Sequence, residues 1–271
     1  MAEDRRLFAF RITIRNLEAW LTFLRREQAM TPDLVEPLLK RLRVTADVSA
    51  EDEQAILRLP ATIRRMGGGE TIVATGERPS VCCLVIEGFV QRSKIVAEDR
   101  RQILSFHQPG DIPDLQSLYL HVLDHEVTTL DDCVLGFIPH APLRALIKTS
   151  PNVAEVLWRD TLIDAAIFRE WICNVGQRDA VSRLAHLICE LHTRLATIGR
   201  VEGSSFEFPA TQALFADAIG TSAVHLNRVV QELRTRGLLE MERGKIEILD
   251  LDGLRKLADF DPLYLHLDAA L

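Results

Sequence analysis

Between Thr211 and Arg234 the chain reads Thr-Gln-Ala-Leu-Phe-Ala-Asp-Ala-Ile-Gly-Thr-Ser-Ala-Val-His-Leu-Asn-Arg-Val-Val-Gln-Glu-Leu-Arg. At helical spacing, Leu226, Val229 and Val230 form one apolar stripe. Ser222, Ala223, Val224, His225, Asn227, Arg228 and Gln231 then share the outward face. A face of this make-up can read a nucleic acid. A guanidinium bonds guanine O6 and N7 together, which makes Arg228 the expected base reader, and Val224 suits a thymine methyl. Ser222, His225, Thr211 and Gln212 bring hydroxyl, imidazole and amide groups of the kind that reach phosphates. His225 reads equally well as a solvated surface histidine. Beyond this run, residues 238–249 alternate in two arms, with Arg243-Gly244-Lys245 at the tip. Arg243 and Lys245 would meet backbone phosphate.

These side chains need a rigid mount. Two helices packed at about a right angle across a turn of ~3–4 residues supply it. Ala216 is the small residue that close packing requires, and Gly220 tolerates a left-handed backbone at the turn. Phe215, Ile219, Leu226, Val229 and Val230 stand where the helix pair must be apolar. The reading is a helix over 211–219, a turn at Gly220, a helix over 222–236, and a hairpin as its wing. The rival reading is a winged helix that binds no DNA.

Upstream, residues 178–196 read as a helix burying Leu184, Leu187, Ile188 and Leu191. Before it, a stripe of Val153, Val156, Leu157, Ile163, Ala166, Ile167 and Val175 runs through one long helix from Pro151 to near Gly176. Charges flank that stripe, a pattern that often pairs with its twin. Val156, Leu157, Ile163 and Ile167 are therefore the expected dimer seam; the rival is packing on the chain's own barrel. From about Gly67 to Pro139 the period changes to two, and Gly, Pro and Asp separate the runs 70–75, 81–87, 89–96, 102–107, 127–130 and 133–139. Short strands at this spacing imply a small antiparallel barrel or roll. Two short helices, 33–42 and 50–58, precede it. Thr31-Pro32 suits the start of the first, and Ser49 with Asp52 that of the second. Leu17, Trp20, Leu21 and Leu24 have helical spacing. Residues 1–30 read as an extension or as an upstream start. A final helix is expected over 254–260.

Composition bounds the answer. At 271 residues, 47% hydrophobic and 26% charged, the chain can bury real cores and falls outside the disordered and fibrous classes. No apolar run approaches the ~18 residues that span a membrane, and the N-terminus lacks a signal-peptide build. Five cysteines without a CxxC fit a reducing cytoplasm and give neither a disulfide framework nor a zinc site. The net charge of −7 excludes a wholly basic coat, so a DNA-binding face must be a local patch.

With these residues in order, the chain resembles the CRP/FNR family of bacterial transcription regulators over about residues 31–265, the run 211–234 being the most specific part. The resemblance implies an α+β fold. An N-terminal antiparallel β-roll of the cyclic-nucleotide-binding jelly-roll kind spans 31–150, a dimerisation helix 151–177, and a winged helix-turn-helix domain 178–271. It implies a cytoplasmic homodimer that binds a pseudo-palindromic double-stranded DNA operator and meets RNA polymerase if it activates. Ala223 and Val224 stand where founding members carry charged base readers, so their operator is not carried over. Nucleotide-binding members hold the ligand with a Gly-Glu pair and a later Arg-Ser or Arg-Thr pair. Here Asp114-Leu115 and Leu123-Asp124 occupy those neighbourhoods, leaving no cation for the phosphate. The pocket, bordered by Gln116, Ser117 and the long helix, is expected to suit a neutral or cationic ligand, or none. Oxygen-sensing members use an N-terminal cysteine cluster, and the first cysteine here is Cys82. No cofactor is expected.

Other constellations point less far. His121 and His125 would share a face if helical and ligate a metal, but no third ligand is indicated. Asp160, Asp164, Arg169 and Glu170 lack a nucleophile or phosphate loop and read as solvated or interhelical charges. Cys82 and Cys83 point to opposite faces of a strand, one of them core. The expected protein is not an enzyme. Two rivals remain: a constitutive DNA binder whose roll is only a scaffold, and a metal-dependent, cupin-like enzyme fused to a DNA-binding tail.

Overall fold

The structure, a computed structural model, describes residues 28–29, 31–96, 100–242 and 244–267. The helix read at 17–24 and the wing-tip Arg243 lie outside the described residues.

Strand β1 (Gln28–Ala29) leads to helices α1 (Pro32–Thr45) and α2 (Ala50–Leu57). Thr31 caps α1 by position, without a side-chain bond. At α2 the Ser49 and Asp52 capping box forms in both directions. Seven strands follow: β2 (Pro60–Met66), β3 (Thr71–Val73), β4 (Val81–Glu87), β5 (Val90–Ile95), β6 (Arg101–His107), β7 (Glu126–Thr129) and β8 (Cys133–Pro139). They form two antiparallel four-stranded sheets, ordered β1-β2-β8-β4 and β3-β7-β5-β6. Together these sheets make the roll. β2 precedes the alternating region read from the sequence, because Arg64 and Arg65 interrupt its apolar pattern. Between β6 and β7, Gly110 adopts φ +97°, and a Cβ there would lie 2.4 Å from the Pro37 carbonyl oxygen of α1. Only glycine permits that approach.

Inside the roll lie Val73, Cys83, Val85, Val90, Val127, Leu135 and Phe137. On the outer side of β4 and β8, Cys82, Leu84 and Ile138 pack with Val35 and Leu38 of α1 and with the helices that follow. Cys82 and Cys83 are therefore both core, because helices cover the sheet's second face.

Helix α3 (His140–Thr149), absent from the sequence reading, turns the chain into α4 (Pro151–Gln177). The α4 stripe expected as a dimer seam is buried within the single chain. Val156, Leu157, Ile163 and Ile167 are only 3–7% exposed within the single chain. Val156 and Leu157 share a buried cluster with residues of α1 and β4, and Ile163 and Ile167 join Phe106 and the C-terminal helices. Val156 and Leu157 thus face the roll side of the chain, as the rival reading has it, whereas Ile163 and Ile167 face mainly its C-terminal helices. The exposed apolar residues of α4 are Trp158 (63%), Leu162 (49%) and Ile172 (68%). They recur at intervals that keep one helical face.

Arg178 breaks the helix with an extended backbone, and Asp179 caps α5 (Ala180–Thr197) through Val181 N and Ser182 N. The C-terminal unit then comprises β9 (Ser205–Glu207), α6 (Gln212–Ile219), α7 (Ala223–Thr235), β10 (Leu239–Glu242), β11 (Lys245–Ile248) and α8 (Leu251–Ala258), ending in a 3-10 turn at Pro262–Leu265. β9 pairs with β11, so the wing is a three-stranded sheet rather than a lone hairpin. The core of this unit is continuous with the roll. Phe106 of β6 meets Phe208, Phe215 and Trp171 edge-on at 5.1–6.3 Å, and Phe89 meets Phe208 at 5.0 Å. Among the described residues no helix is long and apolar enough to cross a membrane.

Candidate nucleic-acid interface and sensor cavity

Two hydroxyls fix the helix-turn-helix. Thr211 accepts from Leu214 N at 3.3 Å to start α6, and Ser222 accepts from His225 N at 3.2 Å to start α7. Each hydroxyl proton stays available to a phosphate. Gly220 ends α6 in the left-handed conformation, φ 66° and ψ 45°. Phe215, Ala216, Ala218 and Ile219 of α6 pack with Leu226, Val229, Val230 and Leu233 of α7. The opposite face of α7 stays open: Ser222, Ala223, Val224, His225, Asn227, Arg228 and Gln231 are all exposed, as are Thr211, Gln212 and Lys245. Other arginines at the edges of this face are engaged within the chain. Arg236 pairs with Glu232, and Arg234 lies 3.6 Å from Glu242. α6 also rests on the roll, where Arg101 pairs with Asp217 at 2.9 Å and Gln102 Nε2 donates to Ala218 O at 3.3 Å.

A second site lies between the roll and α4. A cavity of about 560 Å³ is walled by β5, β6, the 3-10 turn at Leu115–Leu118 and one side of α4. Arg92, on β5, turns inward and is buried. Its Nε donates to Pro113 O at 2.6 Å, its Nη1 pairs with Asp164 of α4 at 2.7 Å, and its plane faces the Phe168 ring at 5.5 Å. Arg41 pairs with Asp160 and, at 3.1 Å, with Asp111. Arg194 of α5 bonds Asp111 at 2.8 Å and Phe106 O at 3.0 Å. Lys94 reaches Asp124 at 3.4 Å.

The surroundings set the protonation of these groups. Burial pushes the Asp111 carboxyl up, yet Arg41, Arg194 and His107 outweigh it and hold it well below the usual range. Asp164 is lowered in the same way: burial opposes, and Arg92 prevails. Burial dominates at Asp160, which is raised despite Arg41. Burial, with Arg92 nearby, brings His107 down to about 4. Burial also lowers His125, against the pull of Asp124. His125 Nδ1 is 2.9 Å from Asp124 Oδ1, which leaves Nε2 as the acceptor of the neutral ring.

Several sequence expectations change here. A cation does turn inward: Arg92. Asp160 is an interhelical charge, paired with Arg41 of α1, whereas Asp164 pairs with Arg92 on strand β5 and holds α4 to the roll. Leu123 is roll core, and Asp124 is mostly exposed. Asp114 is buried, accepts from Cys83 N at 2.7 Å, and is raised by burial to about 7. Ser117 faces away, bonding His140 at 2.9 Å, whereas Gln116 does line the cavity. Residues 119–125 are not helical, so His121 and His125 do not form a one-face pair. Among the described residues no cluster of three or more His, Cys, Asp or Glu could hold a metal ion. Sequence reasoning missed Arg41, Arg194 and Gln108, whose Nε2 donates to Arg194 O at 3.2 Å, as groups that join the domains. Each falls in an unremarkable polar context, and only the fold brings them to one place.

Two family models match the chain: a Crp-like helix-turn-helix domain over residues 182–257, and a cyclic nucleotide-binding domain over residues 63–150. The transcriptional activator protein FnrL of Cereibacter sphaeroides is 24% identical over 214 residues, covering 77% of this chain and 84% of its own length. The nitrogen fixation regulation protein FixK of Rhizobium meliloti is 25% identical over 203 residues, covering 74% of this chain and 88% of its own. Among solved structures, FixK2 from Bradyrhizobium japonicum shares the fold with a TM-score of 0.67 at 22% identity, over 73% of this chain and 96% of that one.

Proposed function

The chain belongs to the CRP/FNR family of transcription regulators, and from that premise we propose that it acts as a homodimer reading a pseudo-palindromic operator, with the roll cavity as its sensor. The observation that carries this is the open outer face of α7, where Val224, His225, Asn227, Arg228 and Gln231 are exposed and Arg228 makes no ion pair among the described residues. In this reading Arg228 takes a guanine and Val224 a thymine methyl in the major groove. Thr211, Gln212, Ser222 and His225 steady the helix on phosphates, and Lys245, with Arg243, anchors the wing. RNA polymerase is the further partner if the protein activates.

Two recognition helices must stand about 34–36 Å apart to meet successive major grooves. A second copy supplies the other, docked through Trp158, Leu162 and Ile172 of α4 in an isologous seam. The break at Arg178 is where a small rotation would change that spacing. Strand β6 ties sensing to reading: it walls the cavity with Leu104 to His107 and braces α6 through Arg101, Gln102 and Phe106.

Selection from a random double-stranded DNA pool tests the proposal. The expected enrichment is two inverted half-sites about one helical turn apart. A pool that stays random, or a single unpaired site bound by monomer, overturns it.

A further inference from the structure

Building on the reading of the roll cavity as the sensor, we propose that it binds an uncharged, mainly apolar small molecule carrying one hydroxyl or N–H donor. The volume, about 560 Å³, lies within the ~300–1,000 Å³ of small-molecule sites. Leu104, Leu115, Ala165 and Phe168 supply apolar wall, and exposed Ile172 stands at the rim.

Charge decides the class. Each cation lining the cavity is already held by a carboxylate of the chain: Arg41 by Asp111 and Asp160, Arg92 by Asp164, Lys94 by Asp124, and Arg194 by Asp111. The Lys94–Asp124 pair is largely exposed; an anionic ligand held among the buried cations would have to displace Asp164 from Arg92, leaving two carboxylates against one guanidinium. A cationic ligand would have to take a carboxylate from a buried arginine. Either leaves a buried charge without its partner, which is costly.

The neutral polar groups set the donor. Gln116 is loosely held: its Oε1 receives Arg92 Nη2 at 3.4 Å, and its Nε2 lies 3.4 Å from Pro113 O and 3.3 Å from His125 Nε2. These are longer than the usual ~2.7–3.2 Å. Gln116 Oε1 and His125 Nε2 are thus two acceptors that a better-placed O–H or N–H can claim. A ligand without a donor would bury both with no improvement.

Calorimetry on the full chain with matched bicyclic compounds tests this: 2-naphthol, its methyl ether 2-methoxynaphthalene, 2-naphthoate, 2-naphthylmethylammonium and cyclic AMP. 2-Naphthol is expected to bind saturably, the ether severalfold more weakly, and the three charged compounds at least about tenfold more weakly. Gln116→Leu combined with His125→Phe, which removes both acceptors, is expected to remove the preference for 2-naphthol over the ether. Ala165→Phe, which fills the cavity, is expected to abolish both. Thermal melting of each variant shows that it folds. Tightest binding by 2-naphthoate, by the ammonium or by cyclic AMP overturns the proposal. So does undetectable binding of 2-naphthol, or binding that Ala165→Phe leaves intact. Operator binding is measured separately: if the protein selects no DNA, the regulator reading fails while the ligand class stands or falls on the titrations.

Discussion

Arg194 and Arg228 carry the same guanidinium under opposite conditions. Arg194 is buried where the roll, α4 and α5 meet, with Asp111, Glu190 and Phe106 O around it. Arg228 stands on the open face of α7 and makes no ion pair among the described residues. At the junction the fold has already used its charges, so they hold the domains together. On α7 the fold has left them unused, so they await a partner. An arginine's role follows from what the chain has already placed against it.

The sharpest test of that contrast is stability. Arg194→Ala removes the guanidinium beside buried Glu190 and one of the two guanidiniums that hold buried Asp111, and breaking such a buried pair costs about 3–5 kcal/mol. Arg228→Ala removes an exposed side chain and shifts stability by less than about 0.5 kcal/mol. Urea denaturation of the two variants measures both. Equal midpoints would break the contrast.

The same logic divides the two faces of α4. Ile163 lies in the chain's own core and Leu162 beside it is half-open. Ile163→Asp places an unpaired carboxylate in that core, at a cost on the order of 3 kcal/mol to folding itself. Leu162→Asp is expected to leave the circular-dichroism spectrum unchanged, yet sediment as monomer and lose DNA binding. A dimeric Leu162→Asp protein would reject the Trp158–Leu162–Ile172 seam.

That neighbouring pair also shows what the sequence could and could not reveal. A helical stripe announces that a face is buried, but not against what. Val156 and Ile163 fit a coiled-coil partner as well as they fit β4 and Phe106, and only the roll's position decides. The helix-turn-helix was legible because its constraints are local: Ala216, Gly220 and the cap residues Thr211 and Ser222 act within a few residues of one another. The ion pairs of the cavity join residues as distant as Arg41 and Asp160 or Arg92 and Asp164, so no spacing rule exposes them. α3 was hidden by length, since ten residues between a strand and a long helix gave little room for a period to show.

The junction also responds to acid. An unfolded histidine takes up its proton near 6.5, and buried His107 only near about 4. Between these values the unfolded chain binds the extra proton. The contribution of neutral His107 is therefore complete above pH 6.5 and lost as pH falls toward 4. Asp111, Asp164 and Arg92 face this ring and remain in a His107→Gln variant. Buried Asp114, raised to about 7, has the opposite slope and cancels in the comparison. The stability difference between wild type and His107→Gln is expected to move in the variant's favour from pH 6.5 to 4. A constant difference would remove His107 from the account.

The smallest effects separate two cations within the DNA-binding face. If Arg228 bonds a guanine through two hydrogen bonds, Arg228→Ala costs about 1–3 kcal/mol of operator affinity and relaxes choice at one base pair per half-site. Lys245, exposed at the start of β11, is the phosphate contact proposed for the wing. Its charge releases a counterion whatever the sequence, so Lys245→Ala weakens all DNAs alike. It flattens the slope of log affinity against log salt by about 0.9 for each contact removed. A dimer loses two such contacts at once. Fluorescence anisotropy on operator and scrambled duplexes, each at several salt concentrations, resolves the pair. Arg228→Ala is expected to shrink the gap between operator and scrambled DNA, whereas Lys245→Ala keeps the gap and changes the slope. If both variants lower the two affinities in parallel, Arg228 is one more phosphate contact, and the base reading must pass to Asn227, Gln231 or Val224.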